Sequence, residues 1–358
     1  TVDQVGAYVI NYYSYLQNSR QQSLYHDKNW RSGMTLNDNN TDNLFSQTGD
    51  LDWFAGEKQV PSGKNFQTYT SRARVWNWLL EQVLPKEEAG SIQGDKTILS
   101  HYIGEAYFFR ALAYYQALVR YGDFPIIDQV LPDDQAILKE LSQRAPRNEV
   151  ARFILEDLDQ GFQNNQRINK QTAQLLKSRV ALFEATFEKY HKGTGRVPGD
   201  DTWPGKDMAY NQGKTFDITG EINFFLTEAM SAAKAVADHC TLTGNSHQMN
   251  PVLGQTDGWN PYFDMFSQED LSSISEVLLW KQYNLSIGYT HDAAYILSAG
   301  GDQLGLSRSY ITSFLMQNGL PYYADGSGYK GDLSVSMEKE GRDERLQLFV
   351  FGEEDIVR

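Results

Sequence analysis

The sequence predicts an all-α dominated fold: tetratricopeptide-like helical hairpins with long irregular loops and a little β-structure. Three observations predict it. Apolar residues recur every three or four positions in several segments, pairs of these segments are joined by short links, and three polar stretches are too long to be simple connections.

In chain order, residues 5–17 are apolar enough for a first helix. Residues 66–83 follow, with Ala73, Trp76, Leu80 and Val83 on one stripe. The longest segment is 96–121, where Ile103, Tyr107, Ala111, Tyr114, Leu118 and Tyr121 repeat at helical steps and Gly122 supplies the stop. Arg147-Asn148-Glu149 opens another helix, with Asn148 as its N-cap and Glu149 near the positive end of the dipole. Residues 172–190 carry Ala173, Leu176, Val180, Phe183 and Phe187, a spacing that requires a neighbouring helix. Residues 222–238 are rich in alanine, which permits close helix approach, and Cys240 after them reads as a small core residue. Trp76, Trp78 and Trp280 fall on periodic segments and are expected in the core. Residues 276–283 read as a short strand and 319–331 as turns. The long polar stretches are 25–65, 192–220 and 245–305, and loops of that length usually carry function.

The net charge of −14 would repel a phosphate backbone, and no Lys/Arg cluster offsets it, so nucleic acid is excluded as a partner. No apolar run approaches the roughly 18 residues of a membrane span. One cysteine permits neither a disulfide framework nor a cysteine zinc site. Nucleophile elbows, phosphate-binding loops, zinc-protease helices and dinucleotide fingerprints are missing, and the six histidines lack ligand spacing. Asp38 to Asp42 resembles a calcium-loop fragment without its glycine and distal glutamate, so it reads as a solvated loop, and no metal or cofactor is expected. Acid pairs that a glycoside hydrolase could use are Asp50 with Asp52, Asp200 with Asp201, and Asp257 with Asp264.

From Gly104 the chain reads GEAYFFRALAYYQALVRYGDFPII, with Glu-Ala, Arg-Ala, an aromatic helix and a Tyr-Gly-x-x-Pro exit. This resembles the signature segment of the SusD/RagB family. The similarity continues through Arg147 and EVARFILEDLDQGF, INKQTAQLLKSRVALFEATF, YFDMFSQEDLSSISEVLLWKQYN, and Ser307 to Tyr322 with GRDERL. It covers roughly residues 66–346. Two departures stand out: Glu344 occupies a position where the family commonly has proline, and Asn77 follows Trp76. The resemblance implies one SusD-like domain over 1–358, possessing a helical scaffold at about 66–239 and a ligand-binding, loop-rich portion at about 25–65 and 245–346. It further implies a non-catalytic glycan-binding lipoprotein of a Gram-negative outer membrane. Such a protein is held by an N-terminal lipid anchor, pairs with a SusC-like TonB-dependent transporter, and continues beyond Arg358. A peptide-binding helical repeat and an (α/α)-type glycoside hydrolase are the alternative functions.

Family binding residues sit in variable loops, so none transfers by motif, and candidates are chosen by environment. Thirteen per cent of the residues are aromatic, many of them in polar, glycine-rich stretches that suit a binding surface. Trp53 and Phe54 follow Asp52, Trp259 precedes Asn260, and Tyr289 lies near His291. Each group offers a ring for a sugar face and a neighbour for its hydroxyls. Trp203 is held in reserve. Glu105, Arg110, Gly122 and Pro125 read as fold markers, their charges paired with neighbouring helices.

Overall fold

The computed structural model describes residues 1–16, 42–45, 66–160, 167–252, 254–255, 257–282, 284, 286 and 305–355. The chain divides into two units, one of Thr1–Tyr13 with Pro61–Cys240 and one of Ser14–Val60 with Thr241–Arg358.

The first unit holds the long helices. Helix α1 (Val2–Ile10) starts at a capping box in which the Thr1 hydroxyl accepts from the Gln4 amide while the Gln4 side chain accepts from the N-terminal nitrogen. It lies on α3 so closely that a Cβ added at Gly6 would stand 2.6 Å from the Tyr102 ring. Helices α2 (Phe66–Glu88) and α3 (Lys96–Tyr121) form a first hairpin, with Asp95 capping α3 through the amides of Thr97 and Ile98. Gly122 ends α3 at φ 70°, its N–H donating to the Leu118 carbonyl, which is the stop that the sequence predicts. A short helix, α4 (Gln135–Leu141), precedes the second hairpin of α5 (Arg147–Leu158) and α6 (Lys170–His191), and α7 (Ile218–Ala237) packs on α6. The helix-dominated class with little β-structure is therefore the observed one. No helix among the described residues is long and apolar enough to cross a membrane.

Local expectations change at four residues, Asn148, Trp78, Cys240 and Trp280. Pro146, not Asn148, precedes α5; Asn148 is buried within the helix, and the orphan N–H of Arg147 is satisfied by Asp123 Oδ1 at 2.9 Å. A carboxylate from the exit of α3 does the work expected of the cap. Trp78, expected in the core, is 43% exposed, whereas Trp76 is fully buried and stacks on Phe109 at 5.0 Å. Cys240 and Trp280 are half-buried.

Buried charges cross-link this unit. Arg110 grips Asp157 through two hydrogen bonds of 2.7 and 2.8 Å and donates to Asn77 Oδ1 at 3.0 Å, tying α3 to α5 and α2. Arg147 holds Glu184 at 2.7 Å through both its Nε and Nη2, with the Phe187 ring 3.3 Å beneath the guanidinium. Glu105 accepts from the Tyr13 hydroxyl and from Arg167 at 3.1 Å. Arg110, Arg147 and Glu105 are buried, so removing one partner strands the other charge at a cost of about 3–5 kcal/mol. The long stretch after α6 is also pinned inward: Val197 is fully buried, Trp203 is 2% exposed, and the Trp203 indole donates to Asp123 Oδ2 at 3.0 Å. Trp203 is thus removed from the candidates for an open platform.

In the second unit, strands β1 (Leu44–Phe45) and β2 (Gly305–Leu306) pair antiparallel, Leu44 opposite Leu306. The unit also holds four short helices, α8 (Pro261–Asp264) before β2 and α9 (Arg308–Ser313), α10 (Val335–Lys339) and α11 (Glu344–Phe349) after it. Arg342, the arginine of the GRDERL segment, is fully buried and donates to the carbonyls of Ile311 and Phe314 at 2.6 and 2.9 Å. Residues 319–331 are turns, as expected, with left-handed glycines at 319, 326, 328 and 331. The strand expected at 276–283 is not formed by its described residues, 276–282. Glu276 instead accepts from the Thr243 amide, and the Val277 amide closes a turn onto Ile274.

Candidate functional site

Of the ligand-contact candidates chosen from sequence, Asp52, Trp53, Phe54, Tyr289 and His291 lie outside the described residues. Trp259 and Asn260 are described, and both are buried: Trp259 is 5% exposed and Asn260 is 0% exposed. They are supports and not a platform. The Trp259 indole packs on Phe263 at 4.7 Å between centroids. Asn260 is the N-cap of α8, its Oδ1 accepting from the amides of Tyr262 and Phe263, with Pro261 at the first helical position. Its Nδ2 donates to Asn245 Oδ1 at 2.9 Å and to the Gln248 carbonyl at 3.0 Å. Every polar atom of the side chain is engaged, and this is the physical reason it cannot read a ligand. The Asn-Pro dipeptide was the sequence signal for the cap.

What these supports hold up is an exposed aromatic group. Phe266 is 64% and Phe349 48% exposed, their rings edge to face at 5.1 Å. Tyr262 meets Phe266 at 5.5 Å and Phe349 at 5.9 Å, and Phe263 lies nearly parallel to Phe349 at 6.4 Å. Helix α8 and its continuation to Phe266 supply one side, and the end of α11 supplies the other. Arg345 stands one helical turn before Phe349, clamped to Asp343 by hydrogen bonds of 2.6 and 2.9 Å. Those bonds hold the Asp343 carboxyl below its usual range and raise the arginine, so the two charges are fixed.

A polar group adjoins the supports. His247 is in the left-handed region at φ 60°, where its N–H reaches Asn245 Oδ1 at 2.8 Å. Its Nδ1 lies 2.6 Å from Glu344 Oε1, and Asn245 Nδ2 donates to Glu344 Oε2 at 2.8 Å. Ser246 Oγ donates to the Trp259 carbonyl at 2.7 Å, closing the loop onto the indole's own backbone. The His247 side chain remains 74% exposed. Glu344, which stands where proline is common in the resembled family, is therefore the anchor of this loop.

The arrangement suits stacking and hydrogen bonding. One carboxylate in each of the two described acid pairs holds backbone: Asp264 accepts from the Gly258 amide and Asp200 from that of Gly193, each at 2.8 Å. Among the described residues no three His, Cys, Asp or Glu side chains are placed to hold a metal ion. Phe266, Phe349, His247 and Glu344 were missed from sequence because each is far along the chain from the residue that gives it a role.

A family profile described as starch-binding associating with outer membrane matches residues 5–184. In fold, the chain is similar to a SusD-like protein from Bacteroides fragilis, with a TM-score of 0.58 at 18% identity. It is also similar to a SusD-like carbohydrate binding protein from the same organism, at 0.56 and 13%. Each alignment covers 97% of this chain and 59% of the other, so the chain spans about three fifths of their length. No curated protein matches it in sequence.

Proposed function

We propose, from the premise that the chain belongs to the SusD-like family, that it captures oligo- or polysaccharide at the cell surface without cleaving it. It then passes the glycan to a SusC-like TonB-dependent transporter of the outer membrane, where a lipid anchor holds it. The observation that supports the reading is the exposed Phe266 and Phe349 pair, backed by the half-buried Tyr262 and next to hydrogen-bonding groups held by Asn260 and Glu344. Aromatic faces cover the C–H faces of a sugar ring, and fixed amides and carboxylates accept its hydroxyls.

Affinity electrophoresis against a panel of polysaccharides tests this. Retardation by at least one glycan is expected, weakened about ten-fold by Phe266→Ala or Phe349→Ala, since a lost ring forfeits about 1.5–3 kcal/mol of burial. Both positions are exposed, so the fold persists. Trp53→Ala, among the loop candidates with Asp52, Phe54, Tyr289 and His291, is expected to act in the same direction. Release of reducing ends would replace the reading with a hydrolase, and a panel without retardation would replace it with a peptide-binding repeat.

A further inference from the structure

We propose that the groove between α2 and the segment after α3 is a separate binding site for an amphipathic organic anion, an apolar body bearing one acidic group. The cavity there is about 600 Å³, within the usual range for small-ligand sites. Its apolar lining includes Phe66, Ala73, Pro125, Ile127, Leu131 and Leu138. Gln67, Thr70, Ser71 and Arg74 line it from one face of α2, at spacings of three, four and seven residues.

The space is held open by fixed bonds. Asn77 donates to the carbonyls of Ile127 and Gln129 at 2.7 and 3.2 Å, and the Tyr114 hydroxyl both accepts from the Ile127 amide and donates to its carbonyl. The Val130 amide donates to Glu81 Oε1 at 2.6 Å. The extended segment is thus tied to α2 and α3 at these points, and α4 forms the far wall through Leu138.

Charge selects the ligand. In a chain of net charge −14 the described residues that line the groove include one arginine and no aspartate or glutamate. Arg74 is exposed and joins no ion pair among the described residues, and Arg144 stands 5.6 Å over the Phe66 ring at the same end. An apolar body fills the floor while its acidic group meets Arg74 in a charge-assisted hydrogen bond.

The test is a fluorescence titration of the whole chain with two probes that differ by one sulfonate, 8-anilinonaphthalene-1-sulfonate and N-phenyl-1-naphthylamine. One-to-one binding is expected, the sulfonate probe about ten-fold tighter. Arg74→Gln brings it down to the neutral probe's affinity. Ser71→Trp, which fills the groove from an exposed position, removes both with an unchanged circular dichroism spectrum. Equal affinity of the two probes, an Arg74→Gln protein that binds the sulfonate as before, or a folded Ser71→Trp protein that binds both would each overturn the proposal. Should Ser71→Trp fail to fold, Arg74→Gln decides alone. The groove shares no residue with the proposed glycan surface, so either reading can fail without the other.

Discussion

Glu188 on α6 is fully buried, and neither of its carboxyl oxygens has a hydrogen-bond partner. Burial raises its pKa from 4.5 to about 8, helped by Glu184 and Glu221 and opposed by Arg147 and Arg152. The sign follows from proton counts. Between pH 4.5 and about 8 the folded chain keeps a proton that the unfolded chain has released, so stability falls as pH rises through that window. At ~1.4 kcal/mol per pH unit the loss is about 5 kcal/mol, a large part of an ordinary domain's stability. Glu188→Gln preserves the shape and removes the titration. Urea denaturation of both proteins, followed by circular dichroism at pH 5 and pH 8.5, reads the effect as a difference, because groups that titrate alike in the two proteins cancel. The variant is expected to gain on the wild type by several kcal/mol between the two pH values, whatever fixed cost its amide carries. A wild-type-to-variant difference that stays constant with pH would refute the reasoning.

Three further outcomes are expected. Arg110→Met should cost about 3–5 kcal/mol by stranding Asp157, and adding Asp157→Leu should restore most of it in the same denaturation assay. Trp203→Ala should cost about 3–5 kcal/mol and open residues 192–217 to limited proteolysis, while glycan retardation is unchanged in the fraction that stays folded. Asn260→Ala removes a helix cap and two loop hydrogen bonds, costing about 1–2 kcal/mol or more. Hydrogen exchange should rise at 245–248, and glycan affinity should fall although the polar atoms of the Asn260 side chain are all engaged within the protein.

The tryptophans show where reading the sequence stops. Trp203 and Trp259 lie in polar, glycine-rich stretches, the surroundings of an exposed residue, yet both are buried. Trp78 lies within a periodic helical segment, two residues from the stripe residue Trp76, and is 43% exposed. Periodicity tells which face of a helix is apolar, but exposure depends on what covers that face. Asp123 is the partner of Trp203, 80 residues away, and no local pattern announces the pair.

By itself the sequence determined the long helices, the Gly122 stop and the family, because a helix is set by hydrogen bonds four residues apart and by the caps at its ends. It also held the Asn-Pro cap at 260–261, legible once taken as structure. Tertiary structure alone decided which aromatic residues form a surface. Phe266 and Phe349 meet across 83 residues of chain, and His247 meets Glu344 across 97. Those encounters are between side chains that local backbone preferences do not relate, so they exist only once the chain has folded.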